Sequence, residues 1–287
     1  SVLGPLLFVI YTSDIKYSLK SPFVMYADDL KIYNKSCNFT VLQNDLDVVA
    51  NWSCTWLLPI NSAKCVVLYT NSSRNPKHDY HVNGTQLFKV DAYRDLGVMV
   101  SSSLLWSEHI AEVVKKANRI IFLISRTFRA ITISMFINLY KTLVRPVLEF
   151  ANTVWAPSLK GDIALLEGVQ RRATRLPFGR VRPSYEGRLA LMHLPSLADR
   201  RVRGDMITTF QALTNNNSVI RSFFKLDMRG RTRGHSFKLV KGNFKTTARQ
   251  IYIVNRVFGK WNSLQTEVVL SDSVLSFKRS YDQYNKV

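Results

Sequence analysis

The spacing of apolar residues changes once along the chain. Up to about residue 105, short apolar runs are separated by turn residues, a pattern that predicts strands mixed with a few helices. After Trp106 the apolar residues recur every three or four positions, which predicts helices. We therefore expect an α+β fold that is followed by a helical region.

In the first part, a helix is predicted from Gly4-Pro5 to about residues 18–22, because proline suits the first helical position. Two short strands, 23–26 and 30–33, flank Ala27-Asp28-Asp29 and predict a β-hairpin. The remaining expectations are a helix capped by Thr40, strands at 65–69, 86–88 and 96–100, a polar loop at 71–79 and a hairpin turn at 82–85.

The helical part contains four predicted helices, whose apolar stripes begin at Ile110, Phe136, Ile163 and Leu197. Pro146 is expected to end the second helix, and Ser196 to cap the fourth. Clear periodicity is lost from Asn215 onward, so we expect a segment that is only partly ordered. The predicted divisions are residues 1–105, 106–214 and 215–287.

Charge follows the same division. Residues 1–100 hold nine basic and eight acidic residues, so residues 101–287 carry +19 of the net charge of +20. Residues 221–260 alone carry eleven Lys and Arg against one acid, Asp227. This asymmetry predicts a polyanion partner. A generic basic surface is the alternative, although solubility seldom needs so large a charge.

Two classes of protein are disfavoured. The longest apolar run, Leu3 to Tyr11, is too short to cross a bilayer and lacks the basic flank of a signal peptide. Cys37, Cys54 and Cys65 have no CxxC spacing, which argues against a disulfide framework and a structural zinc site. We expect an intracellular protein, of nucleus or cytoplasm, without a membrane partner.

The Tyr26-Ala27-Asp28-Asp29 sequence carries the candidate chemistry. Two adjacent carboxylates at a hairpin tip repel each other, and a divalent cation relieves that repulsion. Mg²⁺ is bound by one or two carboxylates together with substrate phosphates, as in two-metal phosphoryl transfer. The alternative is that Asp28-Asp29 is an ordinary polar turn.

The order of several blocks resembles the reverse transcriptases of jockey-like non-LTR retrotransposons. Ser1 to Phe8 and then Tyr26 to Asp29 are the specific blocks, and Trp56 to Asn61 with Lys64 is similar to the next one. Asp95 departs from the aromatic or apolar residue that the family has before Leu96-Gly97. Looser resemblances follow at 139–141, 169–173, 201–206, 258–264 and 276–278.

The resemblance implies a partial polymerase palm, with antiparallel strands and helices, an α-helical thumb and a basic C-terminal extension. It also implies that Asp28 binds catalytic Mg²⁺ with the assistance of Asp29, and that Lys64 lies near the incoming nucleotide. The second metal-binding carboxylate strand of the family would precede Ser1. The chain starts without methionine, so we expect a fragment that is inactive alone and belongs to a longer polyprotein.

Basic residues are the candidate nucleic-acid contacts, and each has a simpler interpretation. Lys64 is either a cation beside the triphosphate or a solvated loop lysine. Lys115, Lys116 and Arg119 lie within one helical turn, where they form either a phosphate-binding face or a solvated one. Arg229, Arg231 and Arg233 belong to an RNA-binding segment or to a flexible linker.

The sequence thus predicts an RNA-directed DNA polymerase whose partners are an RNA template, a DNA primer or target DNA, and deoxynucleotide triphosphates. The alternative is a remnant of a decayed element that binds nucleic acid without catalysis.

Overall fold

The computed structural model describes residues 2–34, 38–70, 78–179, 182–215, 218–228 and 234–285. The chain divides into two compact units. The first contains Ser1–Arg94 and Ser101–Ser103, and the second contains Asp95–Val100 and Leu104–Val287. In the described part of the chain, no helix is both long enough and apolar enough to cross a membrane.

The first unit begins with helix α1 (Leu3–Tyr11), which starts as predicted and ends earlier than predicted. The hydroxyls of Thr12 and Ser13 donate hydrogen bonds to the carbonyls of Phe8 and Ile10, and these local bonds compete with continuation of the helix. A single 3₁₀ turn follows at Ile15–Tyr17. Strands β1 (Phe23–Tyr26) and β2 (Asp29–Ile32) then pair antiparallel, which confirms the predicted hairpin.

Helix α2 (Phe39–Thr55) supplies one side of the core of this unit. It begins before Thr40, and its first residue is preceded by Asn38 with no side-chain capping bond, so the predicted Thr40 cap is wrong. The ring of Phe39 contacts Tyr80 at 5.2 Å between centroids, which anchors the first turn through packing instead. The buried members of this core are Ala50, Tyr80, Val82 and Leu87.

The remaining strands of the first unit are short. The predicted turn is confirmed at Asn83-Gly84, where φ angles of 50° and 72° match a type I′ hairpin. Leu87 is buried between two short strands, so the single predicted strand at 86–88 is wrong. Of the predicted polar loop, residues 71–77 lie outside the described residues. The strands are β3 (Val66–Leu68), which pairs parallel with β6 (Phe88–Val90), and β4 (His81–Val82), which pairs antiparallel with β5 (Thr85–Gln86).

The division between the units falls among strands β7 (Ala92–Asp95) and β8 (Val98–Ser101). The predicted strand at 96–100 is wrong at its start, because Leu96 and Gly97 have φ angles of 44° and 85°. These left-handed conformations belong to a turn and are incompatible with an extended strand.

The core of the second unit is built on α3 (Ser107–Thr127). Its predicted stripe is confirmed, since the side chains of Ile110, Ala117, Ile121 and Ile124 are buried. The expected end of the next helix at Pro146 is wrong. Helix α4 (Ile133–Leu139) continues through a π-helical turn (Tyr140–Val144) into α5 (Arg145–Glu149), where Pro146 lies in the first turn and its missing N–H is not needed.

Helix α6 (Lys160–Ala173) buries Leu166, Val169 and Ala173 of the predicted stripe, but Ile163 at the start of that stripe is exposed. Helix α8 (Leu197–Thr214) is capped by Ser196, whose hydroxyl accepts from the Asp199 amide. The sequence pattern did not predict α7 (Tyr185–Met192). The core formed by α3 to α7 includes the fully buried Trp155, Leu166 and Val169.

The C-terminal basic segment is more ordered than expected in its described residues. A 3₁₀ turn (Val219–Phe223) is followed by an isolated antiparallel β-bridge between Leu226 and Leu239. Met206 and Phe210 of α8 share a buried core with Trp261 and Phe277. The apolar side chains of this segment are buried although they do not form a long regular stripe in the sequence. The helices are α9 (Thr247–Ile251), α10 (Ile253–Asn262), α11 (Thr266–Val269) and α12 (Val274–Asn285).

Candidate active site and nucleic-acid interface

Asp28 and Asp29 lie at the tip of the β1–β2 hairpin. Tyr26 pairs with Asp29 across the two strands, so Ala27 and Asp28 form a two-residue loop. Ala27 has a φ of 51°, a left-handed conformation that costs a non-glycine residue about 1–2 kcal/mol. Such strain persists where the surrounding structure fixes it, and it is concentrated at functional sites.

Both aspartate side chains are exposed. Among the residues that the structure describes, no hydrogen bond or ion pair engages either carboxylate. Two adjacent anions without a cationic partner repel each other, and a hard divalent cation would offset this repulsion.

The hairpin fits a magnesium ion that is held by few protein ligands. One or two carboxylates suffice when water and substrate phosphates complete the coordination. No group of three or more His, Cys, Asp or Glu suited to a metal occurs in the described part of the chain. Asp28 and Asp29 would suit a site that substrate phosphates and water complete.

Lys64 ends a 3₁₀ turn (Ser62–Lys64) that leads into β3, and its side chain is exposed. Its ammonium group forms no hydrogen bond or ion pair with Asp28, Asp29 or any other described residue. The structure thus leaves Lys64 available to an anionic ligand. Its role beside a triphosphate stays a prediction.

Lys115, Lys116 and Arg119 lie on the solvent face of α3, opposite the buried Val114 and Ala117. Helical geometry therefore brings the three charges to one surface. This placement fits both the phosphate-binding and the solvated interpretations.

Arg172 of α6 adjoins this surface, and the sequence pattern was not used to predict it as a site residue. The Arg172 guanidinium donates a 3.0 Å hydrogen bond to Asn118, the residue next to Arg119. Arg171 of α6 and Arg175, which follows the end of α6, are also exposed. A signal was present in the sequence, because Val169 and Ala173 mark the buried stripe and leave Arg171 and Arg172 on the polar side.

Arg229, Arg231 and Arg233 lie outside the described residues. Their proposed RNA-binding role stays a prediction from the sequence.

Comparison with known proteins finds a family model that matches the first part of the chain. Residues 1–123 match the family described as reverse transcriptase (RNA-dependent DNA polymerase). Relatives are the RNA-directed DNA polymerase from mobile element jockey of Drosophila funebris, 28% identical over 61% of this chain, and the probable RNA-directed DNA polymerase from transposon X-element of Drosophila melanogaster, 27% identical over 62%. These matches confirm the resemblance to reverse transcriptases of jockey-like elements.

The chain spans only about a fifth of these relatives, since the matches cover 21% of each. No solved structure matches the chain significantly.

Proposed function

Because residues 1–123 match the reverse transcriptase family, we propose that this chain is part of an RNA-directed DNA polymerase of a non-LTR retrotransposon. The main structural support for this proposal is the β1–β2 hairpin, which presents two exposed carboxylates without a described cationic partner. The first unit would then be part of the palm, and the helices of the second unit would supply the thumb and an extension.

The proposed reaction is attack by a primer 3′-hydroxyl on the α-phosphate of a deoxynucleotide triphosphate, with release of pyrophosphate. Asp28, with the assistance of Asp29, would hold a catalytic Mg²⁺, which lowers the charge on the transferring phosphoryl group when it is bound. Lys64 would offset negative charge on the triphosphate. The hairpin contributes positioning, because a short paired turn restricts where the two carboxylates lie.

The partners would be an RNA template, a DNA primer or target DNA, and deoxynucleotides. The net charge of +19 on residues 101–287 supports a role in binding the phosphate backbone. Lys115, Lys116 and Arg119 on the exposed face of α3 are the proposed contacts.

We further propose that these 287 residues do not polymerise alone. A two-metal site draws carboxylates from separate strands, and no group of three or more His, Cys, Asp or Glu suited to a metal occurs among the described residues. Loss of one major electrostatic group typically lowers a catalytic rate about a hundredfold to a thousandfold. Loss of template positioning adds a separate decrease.

Primer extension on an RNA template with Mg²⁺ tests the proposal. Two proteins are compared: the 287-residue chain, and a chimera in which the upstream reverse transcriptase segment of a jockey relative precedes residue 1. We expect the chimera to extend the primer and the 287-residue chain to give no extension. A chimera that is folded but inactive, and that still binds template and primer, would favour the non-catalytic remnant. Robust extension by the 287 residues would contradict the requirement for a further strand.

A further inference from the structure

The segment that joins α6 to α7, together with the adjoining ends of these two helices, is rich in arginine. The 18 residues from Arg171 to Arg188 contain six arginines, no lysine and one acid, Glu186. Of these arginines, Arg180 lies outside the described residues. An arginine-only cluster is informative, because a guanidinium can bind a phosphate through two parallel hydrogen bonds whereas an ammonium acts as a point charge.

Arg188 lies beneath this surface and is only 4% exposed. Its Nε donates to the Thr174 hydroxyl at 3.1 Å, and its two terminal nitrogens donate to the carbonyls of Pro183 at 2.7 Å and Arg171 at 3.2 Å. All three acceptors are uncharged. Arg188 therefore fastens the loop before α7 to the last turn of α6, and it forms no ion pair with a described residue.

The charges around Arg188 are mostly of the same sign. Burial lowers the pKa of the Arg188 guanidinium, and the nearby positive charges of Arg175 and Arg182 lower it further. Glu186 opposes this effect, but it is a single, exposed carboxylate. The electrostatic potential around Arg188 is thus positive, and it extends to the surface because Arg175 and Arg182 are exposed.

Arg171 adds a further cation to the same segment. Its guanidinium lies 4.9 Å from the centre of the Tyr185 ring, and Arg188 lies 5.7 Å from the same ring. Tyr185 is held in turn by its hydroxyl, which donates to Glu167. The side chains beneath the exposed arginines are therefore fixed by packing and hydrogen bonds, which reduces the ordering that a bound anion would require.

We propose that Arg175 and Arg182 bind the phosphodiester backbone of a nucleic acid, and that Arg188 is the residue that positions them. The inference rests on the proposed function and extends the nucleic-acid contacts from α3 to the α6–α7 segment. A backbone phosphate supplies negative charge to a segment in which Glu186 is the single acid among the described residues. The contact would be independent of base sequence, since it involves only phosphate oxygens.

Binding titrations of the full 287-residue chain test this proposal. An RNA hairpin and a DNA duplex of equal length are titrated by fluorescence anisotropy at several salt concentrations. The test variant is Arg175→Gln with Arg182→Gln. The matched control is Lys16→Gln with Lys20→Gln, which removes two exposed charges from the nearly neutral first part of the chain. Thermal unfolding establishes that each variant is folded.

We expect the test variant to bind about 10–100-fold more weakly at ~0.1 M salt, with the slope of log K against log salt shallower by about 1–2. The control should change neither quantity measurably. Weakening with one probe only would identify RNA or DNA as the ligand. Equal behaviour of the test and control variants would overturn the inference.

A third variant separates this inference from the proposed function. Lys115→Gln with Lys116→Gln and Arg119→Gln removes the contacts proposed on α3. If this variant weakens binding and the Arg175/Arg182 variant does not, the inference is overturned and the proposed function stands. If the unmodified chain binds neither probe, the proposed nucleic-acid role fails, and the inference fails with it.

Discussion

Arg256 on α10 donates hydrogen bonds to both carboxylate oxygens of Asp205 on α8, at 2.8 Å from Nε and 2.6 Å from a terminal nitrogen. That terminal nitrogen also donates to the carbonyls of Asn152 and Thr153, at 3.2 and 2.9 Å. One guanidinium thus links α10 to α8 and to residues 152–153, which follow α5. The Asp205 side chain is 10% exposed, so little water competes for these bonds.

Asp205→Asn is therefore expected to destabilise the second unit by about 3–5 kcal/mol, the range for removal of one partner of a buried ion pair. Urea unfolding followed by circular dichroism measures the change. The comparison variant is Asp282→Asn, which loses a similar fork with Arg203 at 2.6 and 2.7 Å. The Asp282 side chain is 33% exposed, so we expect a loss of only about 1 kcal/mol. Equal losses would show that burial does not set the strength of these pairs.

Gln170 is the centre of a second buried network. The Tyr140 hydroxyl donates to its side-chain oxygen at 2.5 Å, and its side-chain nitrogen donates to the Pro195 carbonyl at 3.0 Å. Gln170→Met keeps the volume and leaves these groups without partners, at about 1–3 kcal/mol for each buried group. We expect the double variant with Tyr140→Phe to lose less stability than the sum of the single changes. Strict additivity in the free energies of unfolding would contradict the coupling.

His235 makes stability depend on pH. The side chain is 3% exposed, and burial lowers the pKa of its imidazole. The unfolded chain therefore binds more protons than the folded chain below about pH 6.5, so stability falls as the pH decreases through and below that value. We expect the difference in unfolding free energy between the native chain and His235→Gln to narrow from pH 7.5 to pH 5.5. A difference that stays constant over this pH range for His235→Gln would refute this account.

Ala27 is expected to be a strained residue. Ala27→Gly removes the cost of its left-handed φ of 51°, so we expect the free energy of unfolding to rise by up to about 1 kcal/mol, less the greater entropy of glycine in the unfolded chain. Ala111→Gly, at an exposed position within α3, should instead lower it by about 1 kcal/mol. A decrease in both variants would mean that the hairpin tip is not strained.

Local patterns predicted the features that short stretches of sequence determine. The hairpin at Asp28, the Asn83-Gly84 turn and the α3 stripe depend on residues close in sequence, and each is present. The helix end predicted at Pro146 was wrong because a π-helical turn places the proline at the start of a new helical segment. The periodicity of apolar residues does not indicate such a turn. The turn at Leu96 was missed because leucine rarely adopts a positive φ.

The candidate site shows the same limit. Asp28 and Asp29 could be proposed as site residues because they are adjacent in sequence. Arg188 was missed because its role depends on acceptors at Arg171, Thr174 and Pro183, which only the packing of α7 against α6 brings together. The order in the C-terminal segment was likewise missed, since its core depends on contacts with α8.

The central claim is that Asp28 is a catalytic carboxylate, and one kinetic comparison tests it most directly. Asp28→Asn is introduced into the chimera that carries the upstream jockey segment, and single-nucleotide incorporation is measured with Mg²⁺ at saturating deoxynucleotide. The control is Asp47→Asn, because Asp47 is also an exposed aspartate of the first unit, on α2 away from the hairpin. We expect Asp28→Asn to lower kcat by at least about a hundredfold with template binding unchanged, and Asp47→Asn to have little effect. A kcat for Asp28→Asn equal to that of the control would contradict the account.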